Sequence, residues 1–285
     1  MIPAKFDYAA PASLEEALST LASAGEDAKL MAGGQSLIPV LRLRLADPST
    51  VIDLTGVAEM HGVRDDGDAI VVGACTPHVE VLADTLLSEH LPLVGQATAT
   101  VADRQVRRRG TFGGALAHAD PAGDLGAVAL AADAELVIAS QGGARRTVAA
   151  ADFFVDYLTT VVEPTEILVE IRLPKLTGWG TAYEKFQRVA QAWSIVGVAA
   201  AVKVEGGTVS DARIGLTNMG STPLRATDAE QALIGQPASA ESIASAAAKA
   251  AEGTEPPSDV NGQADYRKQL AVVLTRRALA ASMGL

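Results

Sequence analysis

The sequence predicts an α+β protein: two small α/β subdomains followed by a C-terminal α+β domain. Three observations carry this. Helical apolar stripes alternate with short apolar strands through the first 177 residues. Gly178-Trp179-Gly180 then reads as a boundary. Beyond it, successive strands precede successive helices. The expected units are residues 1–60, 61–177 and 178–285. A chain of 285 residues is long enough to fill them with real cores. Aromatics are 4% of the residues, so those cores must be built from Ala, Val, Leu and Ile.

The first unit opens with Leu14, Ala17, Leu18 and Leu21, a helix stripe. Ser13 and Glu16 form a capping-box pattern before it, and Gly25 ends it. Lys29 to Ala32 is a short strand that leads into Gly33-Gly34. Ser36 is placed to cap a helical turn through Leu41, and Val51 to Leu54 is a strand. The second unit begins with the buried strand Ala69 to Ala74. Thr76-Pro77 predicts a helix start, with the hydroxyl as cap and the proline at the first position. Pro92 to Val101 and Leu125 to Ala131 are helical, and Glu135–Ala139 with Arg146–Val148 makes a hairpin. Ile167 to Leu173 alternates, as a strand with one wet face does. In the third unit, Thr181–Phe186, Ile195–Val204, Thr208-Val209 and Arg213–Thr217 read as an antiparallel meander. Helices follow at 227–233, 240–251 and 265–282.

The formal charge of -11 argues against nucleic acid, which asks for a basic face. The single cysteine, Cys75, can build neither an internal disulfide nor an iron–sulfur or zinc site alone. Met1 to Phe6 does not read as a signal peptide, and no apolar run approaches ~20 residues, so a cytoplasmic protein is expected.

Two stretches carry the chemistry: Ala32-Gly33-Gly34-Gln35-Ser36-Leu37, and Arg109-Gly110-Thr111-Phe112-Gly113-Gly114-Ala115 running on to Asp124. The second is read as too irregular for a helix or strand. Glycines let a ligand approach the backbone, and consecutive N–H groups form an anion site. The pair suits a pyrophosphate clamped between two loops, although paired glycines also mark plain turns. Neither G-x-G-x-x-G nor a Walker loop is present. His61, His78, His90 and His118 lack metal-ligand spacing, and no nucleophile elbow occurs. Asp120 and Asp124 suit ribose hydroxyls better than a metal. The residues therefore predict a cofactor-binding protein with no catalytic acid–base set and no metal of its own.

The run Ala32-Gly33-Gly34-Gln35-Ser36, with Thr111-Phe112-Gly113-Gly114 and Ala117-His118-Ala119-Asp120-Pro121-Ala122-x-Asp124, resembles the FAD-binding medium subunit of molybdenum hydroxylases. This is the xanthine dehydrogenase family, and the likeness is to its aerobic carbon monoxide dehydrogenase group. The tail, Asp259-Val260-Asn261-Gly262, Tyr266-Arg267 and Leu274 to Leu279, is similar to that family's C-terminal domain.

The resemblance implies a vanillyl-alcohol-oxidase-like FAD domain and a carbon monoxide dehydrogenase flavoprotein C-terminal domain. Ala32–Leu37 and Thr111–Ala115 would cradle the pyrophosphate with backbone N–H groups, and Ala117 and Asp120 continue that cofactor wall. Asp124 would reach toward the ribose or adenine end. Leu168 and Lys185 would lie by the flavin ring, with Trp193 stacked on it. A cation there would raise the flavin potential. Pairing with Glu184 is the competing expectation for Lys185. Phe112 stands for the usual isoleucine, and Ala115 for Asn, Asp or Ser. The implied partners are a large molybdenum-cofactor subunit and a small [2Fe–2S] subunit, as a dimer of heterotrimers. Electrons would leave FAD for a quinone, NAD or oxygen. Location at the inner face of the membrane, through the complex, is also implied. A stand-alone FAD oxidoreductase, or a purine, heterocycle or aldehyde hydroxylase subunit, is the alternative.

Overall fold

The structure, a computed structural model, describes residues 2–285. The first sheet is parallel, with Thr50–Asp53 between Asp7–Ala9 and Ala28–Met31. The helix Leu14–Ala24 covers it with Leu14, Ala17, Leu18 and Leu21. Ser13 caps this helix as expected, accepting from Glu16 N. The Glu16 carboxylate closes the box on Ala12 N rather than Ser13 N.

The second sheet has five antiparallel strands in the order Val63–Asp65, Ala69–Gly73, Ile167–Pro174, Glu135–Ala139, Arg145–Ala149. Ile167–Pro174 is paired on both edges, and its first three residues are all buried. The predicted alternation begins only at Val169, after a bulge between Leu168 and Glu170. Its wet face holds Glu170, bridged to Arg64 and Arg145, and Arg172, bridged to Asp66 and Asp68. Thr76 does not cap the helix His78–Ala83; its hydroxyl donates to Gly62 O instead, and Pro77 takes the cap position.

The third sheet is the expected antiparallel meander: Gly180–Phe186, Val196–Glu205, Thr208–Thr217 and the short Leu224–Arg225. Thr208-Val209 and Arg213–Thr217 are parts of one strand. The helix Ala264–Met283 packs on the first two strands so closely that a Cβ at Gly180 would lie 1.6 Å from Ser282 O. The glycine at the sequence boundary is thus required by backbone contact.

Val196–Glu205 joins two cores. Ala199 and Ala201 face the core of the first two sheets, whereas Val198, Ala200 and Val202 face the C-terminal helices. The other side of that joint is the helix Asp124–Ala131, every residue of which is buried. A helix apolar all round has to be enclosed on all sides. Small residues allow it: a Cβ on Gly215 would meet Ala127 O at 2.1 Å.

Candidate functional site

The first glycine stretch leaves the strand Ala28–Met31, turns at Gly34 with φ +70°, and enters the helix Leu37–Arg42. Among the described residues, the backbone N–H groups of Gly33, Gly34, Gln35, Ser36 and Leu37 meet no protein acceptor. Buried backbone donors are almost always paired, so those of the buried Gly33 and Gly34, continued by the free N–H groups at the start of the helix Leu37–Arg42, form a ready anion cradle. The Ser36 hydroxyl makes no capping bond, contrary to expectation, because its own backbone is already helical. Gln35 is exposed and donates through Nε2 to Gly33 O.

The second stretch is not irregular: it holds a helix, Phe112–His118, capped by the Thr111 hydroxyl. Its N–H groups are largely spent within the protein. Phe112 N donates to Thr76 O, Gly113 N to Ala74 O, Gly114 N to Thr111 Oγ1 and Ala115 N to Thr111 O. Of Thr111–Ala115, the Thr111 N–H alone has no protein acceptor. The expected symmetric pair of N–H cradles is therefore corrected: the first loop carries the donors, and the second is a wall. Ala115 and Ala117 are exposed on that wall, and Phe112 is buried beneath it.

The glycines explain how the loops meet. A Cβ on Gly33 would sit 2.0 Å from Arg109 O, and one on Gly114 would sit 3.5 Å from the Ala32 Cβ. The two stretches thus lie side by side, with no room for a side chain at Gly33 and ordinary contact at Gly114. The four arginines preceding the second loop fall on the short helix Arg104–Arg109, capped by Asp103. Arg107 turns back to hold the carbonyls of Val101 and Ala102, and Ala102 has φ +41°.

Asp124 differs from expectation. It is buried, and its two oxygens accept from Tyr183 Oη at 2.6 Å, Ser194 Oγ at 2.6 Å and Lys185 Nζ at 2.8 Å. It points into the joint with the C-terminal sheet rather than to an open ribose site. Lys185 pairs with Asp124, not Glu184, and also donates to Thr100 O. Burial and the Asp124 charge push the Tyr183 phenol well above its ordinary pKa, so it stays a donor. Asp120 accepts from Ala122 N in a tight turn. Leu168 is buried in the main core.

Trp193 is half exposed, beside Gly123. It borders a cavity of about 620 Å³ between Asp120–Ala122 and the C-terminal domain. That is a size typical of small-molecule sites. The segment holding Trp193 is fixed from below. Asn218, with φ +62°, donates to Ser194 O, and the fully buried Arg267 donates to Ile195 O. Sequence reasoning missed Tyr183 and Ser194. Tyr183 was findable, because it shares a strand face with Lys185 two residues on. Among the described residues no group of three His, Cys, Asp or Glu side chains could hold a metal.

A cradle of unpaired donors, closed by glycines that a Cβ would block, fits a phosphate-bearing cofactor held by loops of an α+β scaffold. That defines a nucleotide-cofactor-binding class. Residues 4–176 match the FAD binding domain in molybdopterin dehydrogenase, and residues 181–282 the CO dehydrogenase flavoprotein C-terminal domain. The chain belongs to the FAD-binding medium-subunit family of molybdenum hydroxylases. It is 40% identical to the carbon monoxide dehydrogenase medium chain of Hydrogenophaga pseudoflava, over 99% of this chain and 98% of that one. It is 38% identical to the 6-hydroxypseudooxynicotine dehydrogenase complex subunit alpha of Paenarthrobacter nicotinovorans, over 99% and 96%. The solved carbon monoxide dehydrogenase of Hydrogenophaga pseudoflava superposes with a TM-score of 0.97 at 42% identity, covering 100% of this chain and 99% of that one. Quinoline 2-oxidoreductase from Pseudomonas putida 86 gives 0.94 at 34%, with the same coverage.

Proposed function

We propose that this chain is the FAD-carrying electron-transfer subunit of a carbon monoxide-oxidising molybdenum hydroxylase. The observation that carries the reading is the unpaired N–H run from Gly33 to Leu37, packed against Arg109-Gly110. The pyrophosphate sits on that run, with Ala32 beside it. Thr111, Gly113, Gly114, Ala115 and Ala117 form the facing wall. Trp193, Asp120 and Leu168 lie toward the ring end, and Asp124 and Lys185 support that end from inside the protein. Bound FAD supplies the capacity to collect electrons and pass them on. This chain's residues bind and orient it.

The family sets the partners: a large subunit with the molybdenum cofactor and a small subunit with [2Fe–2S] clusters. A dimer of heterotrimers is the proposed assembly, with a quinone, NAD or oxygen as acceptor. No helix among the described residues is long and apolar enough to cross a membrane. We place the complex in the cytoplasm, with contact to the inner membrane face through other components. The division at residues 60 and 177 is supported by the three larger sheets, which span residues 7–53, 63–174 and 180–225; the two-stranded sheet Phe154–Asp156/Thr159–Thr160 falls inside the second unit.

The test is to purify the chain with its two partner subunits and measure flavin content and carbon monoxide-dependent dye reduction. About one FAD per chain with carbon monoxide turnover is expected. A colourless complex would overturn the cofactor assignment. A yellow complex active on a heterocycle or aldehyde but not carbon monoxide would overturn the substrate alone.

A further inference from the structure

We infer that Arg267 and Asn218 are positioning residues that set Trp193 against the flavin ring. The inference rests on the placing of the ring end at Trp193 proposed above. Residues 187–195 join the strands Gly180–Phe186 and Val196–Glu205 with no helix or strand of their own. Trp193 is 54% exposed in that stretch, so burial alone does not fix its ring. The backbone that follows it is what is held.

Three parts of the chain converge on that backbone. Asn218 Nδ2 donates to Ser194 O at 2.8 Å and to Ile195 O at 3.3 Å. Arg267 Nη1 donates to Ile195 O as well. Ser194 N donates to Ala122 O and Asn218 N to Pro121 O, which ties the same residues to the turn after Asp120. The Trp193 side and the Asp120–Ala122 side of the cavity are therefore fixed relative to each other. Asn218 does this at φ +62°, a region that Asn enters more readily than most residues with a side chain.

Arg267 is the less expected member. It is wholly buried on the helix Ala264–Met283, where Ala271, Leu274 and Ala278 are also buried. Its ion-pair partner Asp259, at 2.7 Å, is itself partly open to solvent. A buried charge with so incomplete a partner is costly, and an apolar side chain would pack the place without that cost. The guanidinium offers what an apolar residue cannot: donors in a fixed fork that reach a carbonyl and a carboxylate at once. Asp259 in turn accepts from Asn261 N and Gly262 N. Arg267 is thus a strut from the Asp259–Gly262 turn to the carbonyl two residues past Trp193, and both ends line the cavity of about 620 Å³. This gives the Asp259–Gly262 and Tyr266-Arg267 pattern of the tail a task at the cofactor site.

The purified three-subunit complex with its FAD provides the test, because an indole held against a flavin quenches flavin emission. Trp193→Phe is expected to raise emission per bound FAD severalfold and so to define the unquenched level. Arg267→Met and Asn218→Gly are each expected to raise emission per bound FAD toward that level, and to add nothing further when combined with Trp193→Phe. Asn218→Gly accepts the positive φ and keeps the backbone bond to Pro121 O, so it answers the question where Arg267→Met does not assemble. Wild-type emission per bound FAD in these variants, beside a raised value in Trp193→Phe, overturns the inference. It does so even where thermal midpoint or FAD content has dropped, since a role in folding alone gives that result. Unchanged emission in Trp193→Phe overturns the placing of the ring end itself, an outcome distinct from the other.

Discussion

Lys185 Nζ lies 2.8 Å from Asp124 Oδ2, with both side chains almost wholly buried. The pair spans the joint between the second glycine motif, which ends at Asp124, and the C-terminal sheet. Tyr183 and Ser194 complete the shell of donors around Asp124, and Thr100 O takes a second Lys185 hydrogen. All of this lies against the enclosed helix Asp124–Ala131, so water has no access to either charge. A charge in such a place is stable only while its partner remains.

Breaking the pair from one side should therefore cost more than removing it whole. Lys185→Met and Asp124→Asn are each expected to lower unfolding stability by about 3–5 kcal/mol, because each leaves one buried charge uncompensated. The double variant should lose less than the sum of the two by at least about 1 kcal/mol. Denaturant midpoints of the four proteins measure this. Additive losses would show that the ion pair is not what holds the joint.

The two loop glycines should differ in what they tolerate. A Cβ on Gly33 meets backbone, Arg109 O at 2.0 Å, and nothing there can rotate away. A Cβ on Gly114 meets the Thr111 Oγ1 at 2.6 Å, a side-chain atom that can give way at the cost of its helix cap rather than backbone of the facing stretch. Gly33→Ala is expected to weaken FAD retention more than about tenfold, and Gly114→Ala only a few-fold. Flavin fluorescence titration of the two variants compares them directly. Equal affinities would mean that close approach of the loops is not what builds the cradle.

The sequence made the outline legible where a single rule decided the outcome. The Leu14–Leu21 stripe, the meander after Gly180 and the long C-terminal helix all follow from hydrophobic period and turn residues. The donor loop was legible because Gly33-Gly34 permits it. What stayed hidden depends on tertiary pairing. Thr111–Ala115 reads as an exposed glycine loop, but Ala74 O and Thr76 O, some 37 residues earlier in the chain, absorb its donors. Asp124 reads as a ribose ligand, but its partners come from residues 183, 185 and 194 on another sheet. No local pattern fixes which remote strand covers a carboxylate.

His78 offers the pH test. It is 3% exposed, its ring lies against Gly110 and its backbone N–H donates to Gly110 O. Nδ1 has no partner. Burial, reinforced by the nearby Arg107 charge, pulls its pKa down from 6.5 to about 4. The folded protein therefore favours the neutral ring, whereas the unfolded chain protonates near pH 6.5. Stability is full above pH 6.5, falls as the pH drops from there toward 4, and levels off below. The difference amounts to about 3 kcal/mol for this one group. Other groups titrate in the same range, so the comparison is with His78→Phe, which removes the proton site and leaves no orphaned nitrogen. The variant should match wild type at pH 7.5 to within about 1 kcal/mol and lose markedly less on going to pH 4.5. Because Gly110 packs against Gly33 of the donor loop, FAD retention should fall over the same window in wild type and less in the variant. Parallel denaturant curves at the two pH values, with flavin content read on the same samples, decide it. Identical acid losses in both proteins would show that His78 does not set the acid limit of the cofactor site.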